Sequence, residues 1–517
     1  MLVSELIARG ASRHRDRPAV LVGDETMTFG EVAALAARLA RALLALELRP
    51  GDRVALLLDN GPLSIPTDFA LVLGGFVRVP LNARLSEDEH AQMVTGAGCA
   101  TLLHEGRHEP RSTALRERCP GLRLVPLDDS GDATEPLTRV AASQPDGPPD
   151  VHLSADDPLL ALFTSGTTGQ LKAAVHTHAS WAAITRNILG NLLSPGPDDV
   201  MLHAASLVHA SGTFVLPFWL RGGAAAVLPG FEPGSWFDAV ERYGATAANV
   251  VPTMLQMLLA HPGAGTVPGG TLSTVVYGAS PMPRSVITRG LAAWGPVFVQ
   301  YYGQTEAPLC MTVLTKQDHV GPDADRLLGS CGFPAVDAEL RLVDESGAVV
   351  ADGPGELQVR APFTMAGYLD ADELTGRTLL ADGWVATRDV ARRDERGYLH
   401  LVDRTSDMIV TGGYNVYPRE VEDVLLDHPD VLEAAVVAAP HEVWVEAVTA
   451  FVVLSPGSTV DGEALREHVR SRVAGHKVPK SVHLVDAVPK SAVGKVLRRA
   501  LRDPLWADAD QVREGRL

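Results

Sequence analysis

Four cysteines in 517 residues, at positions 99, 119, 310 and 331, stand without CxxC spacing or a neighbouring ligand cluster. They leave no zinc site and no disulfide framework, and they read as reduced thiols. No apolar run approaches the roughly 18 residues that a membrane helix needs. The opening stretch carries Glu5, Arg9, Arg13 and Arg15 where a signal peptide would have its apolar core, so a cytoplasmic protein is expected. Positive charge is in deficit. The 45 basic residues against 63 acidic ones give a net charge of −18, which argues against bulk nucleic-acid or anionic-membrane partners while allowing a local basic cleft. No internal repeat is visible, and a hydrophobic content of 46% is enough for several domains and a large core.

What is present first is an alternation of helix and strand. Thr28-Phe29-Gly30-Glu31 has the form of a capping box, followed by Val32, Leu35, Leu39, Leu43 and Leu46 at helical spacing, then Pro50-Gly51 and the apolar run Arg53 to Leu58. A second strand, Phe76 to Leu81, follows the apolar helix around Phe69 to Leu73. This alternation predicts an α/β fold with doubly wound sheets. Residues 129–157, rich in Asp, Pro, Ser and Gly, read as an exposed connector. Ala225 to Leu228 and Thr274 to Tyr277 read as further strands. Beyond 330, short alternating runs such as Ala338 to Val343 and Gly355 to Arg360 predict an antiparallel β region. After Arg404, a helix near Val416 to Leu426, strands at Glu433 to Val437 and Thr449 to Val453, and a helix from Gly462 predict a compact α+β unit. The expected division is therefore a large domain, 1–404, and a small one, 405–517.

The richest stretch for chemistry is Leu162 to Lys172. Gly166 and Gly169 let the backbone turn its N–H groups toward an anion, Thr164, Ser165, Thr167 and Thr168 add hydroxyl donors, and Lys172 adds charge. It reads as a polyphosphate cradle at the end of a buried strand, Pro158 to Phe163, where α/β proteins place ligands. It is not a Walker loop, because Leu171 and Ala173 flank the lysine where that motif needs Gly and Ser or Thr.

Five ordered stretches resemble the signature motifs of the acyl-adenylate-forming enzymes, the superfamily of acyl-CoA synthetases, adenylation domains and firefly-type luciferases. They are the cradle; Gln300-Tyr301-Tyr302-Gly303-Gln304-Thr305-Glu306; Asp382-Gly383-Trp384 through Asp389; Asp403-Arg404-Thr405-Ser406-Asp407 with Gly412-Gly413 after it; and Pro489 to Lys495. The resemblance spans nearly the whole chain and is closest in pattern to acyl-CoA synthetases. It implies activation of a carboxylic acid by ATP, with Mg²⁺, to an acyl-adenylate, followed by transfer to the thiol of CoA. A carrier protein in place of CoA, or an unusual acid such as nitrite, is the alternative.

The resemblance also implies roles. Glu306 would ligate magnesium with Thr305 beside it, and a carboxylate is a suitable hard ligand. Gln300, Tyr301, Tyr302 and Gly303, with Gly278, Ala279 and Ser280, would hold adenine, and Asp389 and Arg404 the ribose. Lys495 would meet the carboxylate and α-phosphate during adenylation. His209 would gate between acid pocket and thiol tunnel, with a packed histidine as its rival, and Ala210, Ser211, Gly212, Gly278, Tyr302 and Gly303 would line the acid pocket. Gly412, Gly413 and Trp444 would meet CoA, Lys477 and Lys480 its phosphates, and Ser406 would be the hinge. Four positions depart from the family pattern: Leu171 replaces Pro, Ala173 replaces Gly, Ser406 replaces Asp or Lys, and Val445 replaces the Gly that follows the tryptophan.

Lys495→Ala is expected to slow adenylation by on the order of 10²-fold or more, since one charged transition-state contact is lost, while thiolation of supplied acyl-adenylate persists. Separate assays of the two half-reactions check this. Consumption of ATP and acid at the parental rate would remove the role from Lys495.

Overall fold

A computed structural model of the chain describes residues 1–129, 135–165, 171–265, 270–351, 353–404, 407–411, 414–441, 443–491 and 496–514, with backbone alone at 164, 165, 403, 404, 415 and 508–514. The helix–strand alternation builds two sheets. In one, Arg53–Leu57, Val77–Pro80, Thr101–His104 and Arg123–Pro126 run parallel, and Pro158–Ser165 joins them beside Val77–Pro80. The chain then reverses. Leu171–Thr177 pairs antiparallel with Pro158–Ser165, Thr164 opposite Lys172, so the stretch read as a phosphate cradle joins two paired strands. Gly166, Thr167, Thr168 and Gly169 lie outside the described residues.

In the second sheet Ala224–Val227, Val200–His203, Ala247–Val250, Thr274–Tyr277 and Phe298–Gln304 run parallel, and Ala307–Leu314 returns antiparallel to Phe298–Gln304. One apolar core joins this sheet to the first through the helices Val3–His14, Phe29–Ala45 and Ser64–Gly74. Trp219 sits at its centre. Its ring lies 4.4 Å from Phe29 and 4.9 Å from Phe69, and its indole N–H donates to the Ile7 carbonyl at 2.9 Å. The helix Phe29–Ala45 starts where the sequence indicates: the Thr28 hydroxyl accepts from the Glu31 amide at 3.2 Å, and the Glu31 carboxylate accepts from the Thr28 amide at 2.7 Å.

The 129–157 connector differs from expectation. It contains a helix, Leu137–Ala142, whose Leu137 and Ala141 are fully buried in the same core. Its later part is held down by Arg38, which pairs with Asp146 at 2.7 Å, and by Arg41, which donates to the carbonyls of Gly147 and Pro148. Beyond 330, Glu339–Val343, Gly355–Arg360, Val385–Arg393 and Leu399–Arg404 form the expected antiparallel sheet. A further sheet follows, of Tyr414–Val416, Ile409–Thr411, Val445–Leu454, Val431–His441 and Ser481–Leu484, with its own core under the helices Pro418–Leu426 and Gly462–Arg470. Val445 there has φ +66°. A β-branched residue in the left-handed region is strained by about 1–2 kcal/mol, which explains why glycine suits that place. Among the described residues no helix is long and apolar enough to cross a membrane, and all four cysteines are buried and unpaired.

Three buried histidines set a pH dependence. Burial lowers His176 and His178 to about 4 and His203 to about 3, from an ordinary 6.5. Between pH 6.5 and those values the unfolded chain binds protons that the native chain does not, so stability rises with pH across that window and falls on acidification. The slope is at most about 1.4 kcal/mol per pH unit for each histidine. Urea midpoints measured from pH 7 down to pH 4 should fall steadily; a flat profile would contradict neutral, buried imidazoles.

Candidate active site

The candidate site forms where the cradle hairpin of the first sheet meets the Phe298–Gln304 and Ala307–Leu314 hairpin of the second. Lys172 and Glu306, 134 residues apart, form an ion pair at 3.1 Å. Tyr368, on the short strand Gly367–Tyr368 that pairs with Leu171–Thr177, closes the group. Its hydroxyl donates to Glu306 Oε1 at 2.5 Å and accepts from Lys172 Nζ at 2.6 Å, and Lys172 Nζ lies 4.3 Å from its ring centroid. Burial alone would raise the Glu306 carboxyl, but Lys172 and the Tyr368 hydroxyl outweigh it and hold the carboxyl below its ordinary value. Burial, and then the Glu306 charge, pushes the Tyr368 phenol up, so it remains a donor. The turn carrying Glu306 is fixed from behind: His176 bonds the Thr305 carbonyl at 2.8 Å, and the Met365 amide donates to the Glu306 carbonyl.

A second polar group lies further along. Asp389 Oδ2 accepts from Tyr302 Oη at 2.5 Å and from Gln304 Nε2 at 2.7 Å, and Gln304 also donates to the Thr387 carbonyl. Asp389 is buried and stands opposite Arg404 in the antiparallel ladder, though the Arg404 side chain lies outside the description. Gln300 accepts from the Tyr277 hydroxyl at 3.1 Å. Tyr301 is a correction to the nucleotide-binding set. Successive strand residues alternate faces, so its ring turns away from the face of Gln300 and Tyr302 into the core, 6.3 Å from Phe214.

The backbone around these groups is tight. A Cβ on Gly278 would lie 2.6–2.8 Å from the Tyr301 carbonyl oxygen and ring, and one on Gly303 would meet the Leu309 backbone at 2.2–2.8 Å. Ala279, next to Gly278 and Ser280, has φ +66°. Strained residues of this kind concentrate at binding sites.

His209 caps the 3₁₀ helix Ala210–Phe214. Its Nε2 lies 2.8 Å from Asn82 Nδ2. An amide nitrogen only donates, so Nε2 accepts and the ring proton is on Nδ1. Asn82 follows the strand Val77–Pro80 of the first sheet, so the histidine of one sheet is oriented by the other. Ser211 bonds His203 Nδ1 at 2.9 Å, and Gly212 donates its amide to the His209 carbonyl. Trp444 stands in the turn just before the strand Val445–Leu454, 41% exposed, with Lys480 Nζ 5.3 Å from its ring centroid. Lys477 pairs with Glu420 at 2.7 Å. Ser406, Gly412, Gly413 and Lys495 lie outside the described residues, as do the side chains of Thr164 and Ser165. Sequence reasoning missed Tyr368, Gln304, His176 and Asn82 as contributors. Only Gln304 carried a signal, its place inside the Gln300–Glu306 stretch.

The family model of the AMP-binding enzymes matches residues 7–369, and that of the AMP-binding enzyme C-terminal domain matches 420–495. A feruloyl-CoA synthase of Amycolatopsis sp is 38% identical over 94% of this chain and 95% of its own length. The medium/long-chain fatty-acid–CoA ligase FadD8 of Mycobacterium tuberculosis is 35% identical over 98% and 90%. Among solved structures, ATP-bound MatB from Rhodopseudomonas palustris superposes with a TM-score of 0.88 at 30% identity, covering 98% of this chain and 99% of that one.

Tyr368→Phe removes two charge-assisted hydrogen bonds, the one donated to Glu306 and the one accepted from Lys172, and leaves the Lys172–Glu306 pair. It is expected to lower unfolding free energy by about 1–3 kcal/mol and adenylation by about tenfold. Denaturant unfolding and pyrophosphate exchange measure the two effects; a variant with both unchanged would remove the hydroxyl from the group's support.

Proposed function

The chain belongs to the AMP-binding enzymes and is an AMP-forming acid–thiol ligase, and on that premise we propose that it is a magnesium-dependent acyl-CoA synthetase for a carboxylic acid without an α-ammonium group. In the first step a carboxylate oxygen attacks the α-phosphorus of ATP, the bond from that phosphorus to the bridging oxygen of pyrophosphate breaks, and acyl-AMP forms. In the second, the CoA sulfur, having lost its proton, attacks the acyl carbon and AMP leaves.

The observation that carries the reading is the Lys172–Glu306–Tyr368 group at the mouth of the cradle hairpin. Both bonds to Glu306 fall on one carboxylate oxygen, and an ionised carboxylate is a hard oxygen donor, so the residues fit a magnesium ion held by Glu306 beside Thr305. Such an ion supplies charge neutralisation of the phosphates. Lys172 and the cradle hydroxyls take the outer phosphates, and Asp389, oriented by Tyr302 and Gln304, accepts from the ribose hydroxyls. His209, held by Asn82, stands between acid and thiol. Residues 1–404 bind nucleotide and acid, and 405–517 bring Lys495 to the first step and the CoA-facing groups, Trp444 among them, to the second. A cytoplasmic location belongs to the same reading, supported by the four buried thiols.

The choice of acid rests on the stretch from Ala204 to Phe218, which contains no Asp, Glu, Lys or Arg. An ammonium group buried there would lack a partner, which is costly. Pyrophosphate exchange with matched pairs, 3-phenylpropionic acid against phenylalanine and medium-chain fatty acids against their 2-amino analogues, should favour the plain acid in each. Preference for the amino acid would sink the reading, activity with nitrite alone would favour a diazotase-like enzyme, and thioester formed on a carrier protein but not on CoA would move the acceptor.

A further inference from the structure

Beneath the 3₁₀ turn Ala210–Phe214, the second sheet carries polar groups that the adenylation chemistry does not use. Ala248 pairs with Leu202, so Asn249 and His203, one residue on, are neighbours on adjacent parallel strands. Asn249 in turn pairs with Val276, and Val276 with Val299. Alternation along each strand puts His203, Asn249, Val276, Val299 and, two residues further, Tyr301 on one face. His203 is 0% exposed, Asn249 3% and Tyr301 4%. His203 Nε2, Asn249 Nδ2 and Tyr301 Oη each lack a hydrogen-bond partner among the described residues. Asn249 lies close enough to Tyr301 to favour the ionised phenol slightly against the larger effect of burial, yet their atoms do not meet in hydrogen-bond geometry.

A buried polar atom left unpaired is costly, and native cores leave few of them. Three on one face, at the C-terminal end of parallel strands, are placed to share a partner, and ligands of α/β folds bind at that end. The group adjoins the acid-pocket residues on both sides. The Tyr301 ring carbon that bears the hydroxyl lies 2.8 Å from where a Gly278 Cβ would be, and His203 Nδ1 bonds Ser211 at 2.9 Å. In this structure the three atoms are sealed. Two of them are reached by moving one element, because Ser211 and Phe214, which lie against His203 and Tyr301, both belong to the Ala210–Phe214 turn.

We propose that His203, Asn249 and Tyr301 form a hydrogen-bonding floor to the acid pocket, and that the acid this enzyme takes carries a neutral hydroxyl group on the part of its tail remote from the carboxylate. The inference rests on the acyl-adenylate reading above and narrows its substrate class. A neutral imidazole, an amide and a phenol offer donors and acceptors but no formal charge, so they suit a hydroxyl and give no counter-ion to a second carboxylate or an ammonium. A pocket built to bond a hydroxyl discriminates strongly against the analogue that lacks it, because its own polar groups are then left unpaired.

The test is pyrophosphate exchange by the full-length enzyme with pairs differing by one hydroxyl: 4-hydroxycinnamic against cinnamic acid, 3-(4-hydroxyphenyl)propionic against 3-phenylpropionic acid, and an ω-hydroxy medium-chain fatty acid against its parent. The hydroxylated member of at least one pair is expected to lead by about tenfold or more in kcat/KM. In Tyr301→Phe and in Asn249→Leu that ratio should shrink several-fold, through a larger rise in KM for the hydroxylated acid. Folding is monitored by circular dichroism, and the readout is a ratio within each variant, so a general loss of activity does not imitate the result. Equal or better use of the plain acids by the parent, or an unchanged ratio in both variants, overturns the floor while leaving the synthetase reading intact. Exchange with no acid in a broad panel overturns the synthetase reading, and the floor with it.

Discussion

The buried contact of Lys172 with Glu306 and Tyr368 is the constraint on which the site depends. It joins a hairpin near one end of one sheet to a hairpin near one end of the other, at the place where, on the proposed reading, the nucleotide's phosphates would arrive. Taking a carboxylate and an ammonium out of water is expensive, and their attraction offsets that only with good geometry and additional hydrogen bonds. The Tyr368 hydroxyl supplies the additional bond on both sides. The same group makes functional sense of its own expense: a lysine held by a carboxylate is a preorganised charge whose partner changes when phosphate enters, so the side chain need not be ordered at that moment. The supports of Glu306 from behind, through His176 and Met365, keep the carboxylate in place during such an exchange.

The strand Phe298–Gln304 divides the site in two by its pleat alone. Gln300 and Tyr302 point to one side, where Tyr302 and Gln304 hold Asp389. Tyr301 points to the other, against Phe214 and Gly278. One side is a hydrogen-bond network around Asp389, while the other ends in polar atoms without a partner among the described residues. A satisfied network suits the invariant part of a reaction, because rigidity there orients groups that serve every turnover. Open valences suit the part that varies, since they are filled by whichever ligand fits them.

Legibility in the sequence followed the range of the interaction. The capping box at Thr28 and the strand Arg53–Leu57 are written in four to six consecutive residues, and both stand where the sequence puts them. The helix Leu137–Ala142 is too short to show a 3.6-residue period inside a polar, Pro-rich stretch, and its two buried residues reveal it only through the core they enter. Tyr368 meets Lys172 across 196 residues, and nothing local to Gly367-Tyr368 indicates chemistry. Tyr301 was legible in kind but not in direction: reading the Gln300–Glu306 stretch as one motif passed over the alternation that turns every second side chain away. Val445 showed the converse, a departure from the family pattern visible at once, whose reason, a left-handed backbone, is a property of the fold.

The segment from Ala205 to Phe214 is held differently from the strands around it. Asn60 accepts the Leu207 amide at 2.9 Å and donates to the Ala205 carbonyl, Asn82 of the first sheet holds His209, and His203 of the second holds Ser211. Side chains from both sheets, one bond at a time, do here what a ladder does within a strand. Bonds of this kind are worth about 0.5–1.5 kcal/mol each, so they can be exchanged singly at a cost that a bound acid can offset, whereas a ladder breaks as a unit. His209, proposed to stand between acid and thiol, and Ser211, which covers the proposed polar floor, lie two positions apart on this segment. On those proposed roles, a displacement that admitted the tail of the acid at Ser211 would also act on His209, and recognition of the tail would be linked to access of the thiol through one short turn.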